Sequence, residues 1–465
     1  MLESVSKKLP KAKISNPPES RFGSHHFFLL AIILWIFGSN FIWILLDIRP
    51  PSYDQGLHLF RTFNYWEAFS SGSEDWWQDV LNVEPFYPPF YHLSLIPLSL
   101  IFGFTLDTGV IGNSFYMVIM ALSIYGIGNI LYTKNAGLIA AFLVSSYPMI
   151  VSMSREYIIS VMLTAMTTLA YYLFLKSENF ENKKYSLWFS FIYAAGLMVK
   201  WTFFIYTLPA VFAGLWGVKI GLKDRIIQLA YYIGMITALL IAPIFILIIG
   251  EQRWILLILE FLLILALVKN FPKASISTQK VINLITLSCI SILICFPWYA
   301  HNLINILIGM SKFAFPGYAL KFDASSGIPI WGYYFLVPIG QMGWPLLVIF
   351  ITSFIFYIFK KDRFNWLLFC WIIFPLIVFT FVDNKGARYT MPALPAMALV
   401  TAVVMTQVKN ISLRNFIYSI AGATTLVTIA YNGFASKPTF LPYLGKENLP
   451  ITQNWPINTI LDDII

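Results

Sequence analysis

Charge is the scarcest commodity of this chain. Only 11% of its residues are Asp, Glu, Lys or Arg, where a soluble domain carries about a quarter. A water-exposed surface for 465 residues cannot be built from so few charges, which excludes a soluble globular protein. Cysteine is nearly as sparse. Cys289, Cys295 and Cys370 all fall in apolar runs at no metal or redox spacing, which excludes a disulfide framework and leaves them as small buried hydrophobes. There is no Gly-rich loop followed by Lys-Ser/Thr, no HExxH and no dinucleotide fingerprint, so no soluble nucleotide or zinc-protease site is encoded. No internal repeat or low-complexity linker stands out, and transporter-style inverted repeats get no support. What the chain does have is apolar surface: 58% hydrophobic, 17% aromatic, mean hydropathy +0.72. These values define an all-α polytopic membrane protein with no large soluble domain. The net charge of +9 is then a matter of positive-inside loops, not of nucleic acid.

Apolar runs cover about 27–46, 89–105, 108–132, 136–153, 157–175, 185–199, 202–218, 226–249, 254–268, 281–301, 332–359, 365–382, 389–408 and 415–433. The second is short, holds Pro97 and Gly103, and follows Pro88-Pro89; about 17 residues is the lower limit for crossing the hydrocarbon core. If it does not cross, 20 of the 31 Lys and Arg fall on the cytoplasmic side; if it does, only 14 do. The positive-inside rule selects the first arrangement. The expectation is therefore about 13 transmembrane helices in a plasma membrane. The order is a cytoplasmic tail 1–26, a membrane-embedded domain 27–433, and an extracytoplasmic tail 434–465. Segment 89–105 becomes a juxtamembrane or re-entrant helix inside an extracytoplasmic loop 47–107. The basic tail precedes a first span long enough to remain as an anchor, and no cleavable signal peptide is visible.

That first loop concentrates acid. Asp47, Asp54, Glu67, Glu74, Asp75, Asp79 and Glu84 face only Arg49 and Arg61. Asp54 follows Pro50-Pro51 at the head of a predicted amphipathic helix, Gly56 to Ser70, with Leu57, Phe60, Asn64 and Ala68 on or near one side. A carboxylate there can deprotonate an acceptor hydroxyl or hold a metal, or can simply favour a helix start. Glu84 and His92 bracket the stiff aromatic stretch Pro85 to Tyr91, and His58 lies one turn beyond Asp54. Ser154-Arg155-Glu156-Tyr157 forms a turn between spans, where an arginine can grip phosphate with its fork or snorkel to the interface. Lys200 interrupts apolar sequence, where a lysine costs about 2.5–3.5 kcal/mol at mid-bilayer. Lys385 and Arg388 break the positive-inside trend at a helix entrance on the same face as Asp54 and suit an anionic headgroup.

Taken in order, these segments resemble the polyprenyl-phosphate-sugar-dependent glycosyltransferases of the C superfamily, and most closely the protein O-mannosyltransferase and aminoarabinose-transferase group (family 39). The resemblance rests on an acid after the first span (Pro51-Ser52-Tyr53-Asp54), a Pro-Pro-aromatic segment (Tyr87-Pro88-Pro89-Phe90-Tyr91) and the Ser154 to Tyr157 turn. It is completed by Gly196-Leu197-Met198-Val199-Lys200-Trp201-Thr202 and by Lys385 through Pro395. It implies a sugar moved from a polyprenyl-phosphate carrier to a hydroxyl-bearing protein, lipid or glycan acceptor. In that reading Asp54 and Glu84 are the candidate catalytic acids, and Arg155, Lys200, Lys385 and Arg388 bind the donor phosphate. His58, His92 and Tyr157 support the acceptor or the loop. Two departures matter: Gln55 stands where family members often carry a second acid, and Ser160 where many carry an Asp. No cofactor is certain; a divalent metal stays open. The competing readings are a transporter or lipid flippase, which wants charges deep in several spans, and a catalytically degenerate family member acting as a partner subunit.

Overall fold

The computed structural model describes residues 23–48, 50–215, 278–314, 332–360, 365–382 and 384–434. Every regular element among them is helical. The runs 226–249 and 254–268, residue Arg49, and most of the two tails lie outside the described residues.

The first helix, α1 (Ser24–Leu46), is followed by three short ones: α2 (Tyr53–Ser70), α3 (Trp76–Asn82) and α4 (Phe90–Phe102). Pro50 and Pro51 stop α1 from continuing and aim α2 away from it. α4 has 13 residues and ends at Gly103, which takes φ 87. At about 20 Å it is too short to cross a bilayer.

The centre of the bundle is α5 (Leu106–Leu131), α6 (Lys134–Ser146) with α7 (Pro148–Ser154), α8 (Ser160–Lys176) and α15 (Leu394–Gln407). Small residues let these helices approach closely: a Cβ on Gly128 of α5 would lie 2.3 Å from the Cα of Gly137 on α6. Burial sorts the spans. The window around α15 is 83% buried, whereas that of α11 (Thr278–Ala314) is only 22% buried and that of α1 33%. α15 is thus a core helix, and the other two show most of their apolar surface to lipid. α9 (Lys183–Val199) and α10 (Phe203–Leu215) flank this core, and α9 packs on α11. Side-chain caps start several helices. The Thr133 hydroxyl accepts from Ala136, and the Asn365 amide oxygen accepts from Leu367 and Leu368 at the head of α14 (Trp366–Thr380).

Three segments depart from the sequence expectation, the first being the run 136–153, which is broken into α6 and α7 and bent by 58°. The run 332–359 reads as one span but is broken into α12 (Tyr333–Met342) and α13 (Trp344–Phe359), bent by 117°. Gly343 makes the bend by taking φ 79, with Pro345 in the first turn of α13. Conversely, the helix over 281–301 extends to Ala314, so half of the expected loop 302–331 is helix. The chain closes with a 3-10 turn (Ala387–Ala393), α15 and α16 (Ile411–Phe434). Among the described residues four helices are long and apolar enough to cross a membrane, or up to six if each bent pair is one span. The chain is a multi-pass membrane protein whose described residues are helical wherever they are regular.

Candidate active site

α2 carries the acid end of the site. Its buried positions are Gln55, His58, Thr62, Tyr65 and Ala68, a stripe at helical spacing. Of the predicted side, Leu57, Phe60, Asn64 and Ala68, only Ala68 is buried; Leu57 and Asn64 are half-buried and Phe60 is exposed. The helix buries polar and aromatic groups because its neighbours supply partners for them. Asp54, in the first turn, reaches across to Arg388, 334 residues away in the chain. Both guanidinium nitrogens, Nη1 and Nη2, donate to the single carboxylate oxygen Oδ2 at 3.0 Å. The pair is only partly buried: the Asp54 side chain is 47% exposed and that of Arg388 33%.

The strand of chain that presents Arg388 is pinned from four sides. Gln341 of α12 donates to the carbonyl of Ala387 (2.6 Å) and to Thr390 (2.9 Å). Tyr334 exchanges hydrogen bonds with Gly386. Tyr206 of α10 donates to the Tyr389 carbonyl at 2.7 Å, and the Trp371 indole of α14 donates to Pro392 at 2.9 Å. Pro392 and Pro395 keep the segment from joining α15 as regular helix from its start. Lys385 belongs to this scaffold. Its ammonium donates to the carbonyls of Phe379 (3.0 Å) and Thr380 (2.7 Å) at the C-terminus of α14, where a cation is favoured. Among the expected phosphate ligands it is the one given to a helix end.

Lys200 completes the cationic end. It sits in the turn between α9 and α10, with its Nζ 5.7 Å from the Tyr87 ring centre and 5.4 Å from that of Tyr389. Burial pulls its ammonium down to about 7; Arg388 adds to the fall and Asp54 opposes it. Asp54 is committed to Arg388, so among the described residues Lys200 has no carboxylate within ion-pairing distance.

Behind Asp54, His58 and His92 share a hydrogen bond, Nδ1 to Nε2, at 2.9 Å. Both are buried, and Tyr65 stacks on His92. Burial lowers His58 to about 3, with Arg61, Arg388 and Lys200 adding to the effect. The pair is therefore a neutral dyad, one ring donating and the other accepting.

Glu84, expected as a second catalytic carboxylate, is engaged structurally. Its Oε2 pairs with Nε of Arg61, and its Oε1 accepts from the backbone N–H groups of Phe86 (2.9 Å) and Tyr87 (3.1 Å). It ties α2 to the proline-rich segment and so positions Tyr87. Tyr157 also secures α2. Its N–H donates to Gln55 Oε1 at 3.4 Å, and its hydroxyl donates to Thr62 at 2.9 Å. Arg155 is 1% exposed and lies 6.0 Å from the Trp43 ring of α1. It connects to the cluster through Tyr157. Asn113 holds its turn by donating to the carbonyls of Met153, Ser154 and Glu156, and Asn40 by bonding Ser154.

The donor set does not fit a divalent cation. Asp54 and Glu84 are each paired with a guanidinium, and Gln55 is a neutral amide already accepting a hydrogen bond. Among the described residues no three His, Cys, Asp or Glu gather into a ligand group. Three residues that sequence reasoning passed over prove to shape the site: Arg61, Gln341 and Asn113. In the sequence Arg61 figures only as one of two cations in the acidic loop. The two amides carried a usable signal, since an uncharged hydrogen-bonding group in an apolar span needs a partner.

With this geometry in view, the chain is a multi-pass helical membrane protein with the fold of ArnT. ArnT from Cupriavidus metallidurans, crystallised with undecaprenyl phosphate, superposes with a TM-score of 0.56 at 12% identity, covering 90% of this chain and 68% of that one. Its apo form gives 0.57 at 10% identity, covering 90% and 67%. Residues 87–247 match the family described as dolichyl-phosphate-mannose-protein mannosyltransferases. The chain thus resembles that mannosyltransferase family in sequence over residues 87–247 and ArnT in fold over most of its length. No curated protein sequence matches it.

Proposed function

We propose that this protein transfers a sugar from a polyprenyl-phosphate carrier to a hydroxyl-bearing acceptor on the extracytoplasmic face of a plasma membrane. The observation that carries the reading is the convergence of Asp54, Arg388 and Lys200 from three distant parts of the chain onto one partly exposed site. A carboxylate beside two cations suits transfer from a phosphate leaving group. The acceptor oxygen attacks the anomeric carbon on the face opposite the phosphate, and its proton passes to Asp54. The bond from that carbon to the phosphate oxygen breaks, its electron pair goes to the phosphate, and the configuration inverts. Arg388 and Lys200 offset the charge that gathers on the departing phosphate. Arg155, Lys385, Glu84 and the His58–His92 dyad hold this geometry from behind. The carrier's apolar tail remains in the membrane, which delivers the donor laterally.

Purified protein in detergent, given a panel of radiolabelled polyprenyl-phosphate sugars, tests the reading. The wild type is expected to consume at least one donor, and Asp54→Asn to lose about 10²–10⁴-fold in rate with its thermal melting unchanged. An arm with chelator is expected to make no difference. Retained turnover in Asp54→Asn removes the residue from catalysis. No consumption of any donor by the wild type sinks the transferase reading in favour of a transporter or a partner subunit.

A further inference from the structure

Resting on that assignment of Arg388 to the donor phosphate, we infer that the Asp54–Arg388 pair is a latch that the donor opens, so that Asp54 becomes a competent base only once donor is bound. The two groups that the reaction needs apart are held together. Arg388 gives both nitrogens to Asp54 Oδ2 at 3.0 Å, so the carboxylate that must take a proton is neutralised by the cation that must take the phosphate. The contact is made to be exchanged. A guanidinium fork binds best when each nitrogen has its own oxygen, and here both converge on one. A phosphate diester offers two free oxygens and satisfies the fork better than Asp54 does. Partial exposure of both side chains keeps the pair weak, and the remaining interactions of the Arg388 segment, through Gln341, Tyr206 and Trp371, do not depend on Asp54. Arg388 can therefore change partner without moving its backbone. Lys200, which among the described residues has no carboxylate within ion-pairing distance, stands ready on the same side. Asp54, once released, lies in the first turn of a helix anchored by Tyr157 and by the His58–His92 bond, and so stays in place for the acceptor. The consequence is ordered binding, donor first, and protection of the acceptor from unproductive deprotonation.

The test measures the affinity of a polyprenyl monophosphate for the full chain in detergent micelles. Removing the internal competitor by Asp54→Asn is expected to tighten binding by about threefold or more, the scale of a partly exposed ion pair. Arg388→Ala is expected to weaken it, and the Asp54→Asn gain is expected to vanish in the double variant. If Asp54→Asn binds no tighter while Arg388→Ala binds worse, the latch is wrong and the phosphate site stands. If Arg388→Ala binds as the wild type does, the phosphate assignment itself fails. Should Asp54→Asn melt early, Asp54→Ser takes its place. Initial-rate kinetics on the unaltered protein give a mutation-free readout: a dead-end acceptor analogue is expected to inhibit uncompetitively against donor, and a mixed pattern overturns the inference.

Discussion

Lys200 is held between two tyrosine rings in the turn between α9 and α10, beside a guanidinium and, among the described residues, without a carboxylate in ion-pairing distance. Its ammonium is pulled down to about 7, so it is cationic below that pH and neutral above it. The sign for phosphate binding follows directly: the attraction is present at pH 6 and fades as pH rises through 7. Donor affinity measured between pH 6 and 8.5 is expected to fall toward the alkaline end, and Lys200→Arg, whose charge does not titrate there, to flatten the profile. A profile unchanged by that substitution would take Lys200 out of the phosphate site. At this scale the sequence was a fair guide to which residues the fold brings together and a poor one to what each touches. Asp54, Lys200 and Arg388 could be singled out because a charge next to apolar spans needs a reason. That Lys385 faces the carbonyls of Phe379 and Thr380, or that Glu84 faces Arg61, depends on partners brought by folding, and no local pattern announces them.

Among the elements, α2 shows where periodicity misleads. Phe60 and Phe63 are exposed while Gln55, His58, Thr62 and Tyr65 are buried, because these four find hydrogen-bonding or stacking partners that offset their polarity. The helix is then only as well placed as the turn it leans on. Tyr157 is that support, and it fits because α5 has no side chain at Gly109: a Cβ there would lie 2.4 Å from Cδ2 of the Tyr157 ring and 3.1 Å from its Cα. Neither the ring, locked by Thr62, nor the backbone can yield cheaply. Gly109→Ala is expected to cost about 1–3 kcal/mol of stability and to lower the transfer rate by displacing α2. The checks are the melting temperature in detergent and the rate of the folded fraction; a variant with wild-type melting and rate would deny Tyr157 its supporting role. Breaks were less legible than helices. The Gly343 bend joins two apolar halves of similar composition, and only the φ of 79 reveals that one run is two elements.

For the whole molecule, the architecture was legible because its cause is composition: apolar runs must pair their backbone groups internally, and helices do so. The direction in which the bundle sits across the membrane is a separate question, decided by where Lys and Arg fall between spans. The short α4 bears on it strongly. If this helix of 13 residues returns to the side it left, the acidic loop, the Arg155 turn, Lys200 and Arg388 share one face; if it crosses, every downstream loop changes sides. The Asp54–Arg388 bond requires α2 and the Ala387–Ala393 turn to lie at the same end of the bundle, which agrees with that single face but does not say which compartment it looks into. Positive-inside counting puts it outside the cytoplasm. Gln78 is the place to ask, because it is exposed on α3 and touches none of the site. With Cys289, Cys295 and Cys370 replaced by serine or alanine, a cysteine at position 78 is expected to react with an impermeant thiol reagent in intact cells. Labelling that appears only after the membrane is opened would turn the bundle over, place the site in the cytoplasm, and make a soluble activated sugar as accessible to it as a lipid-borne one.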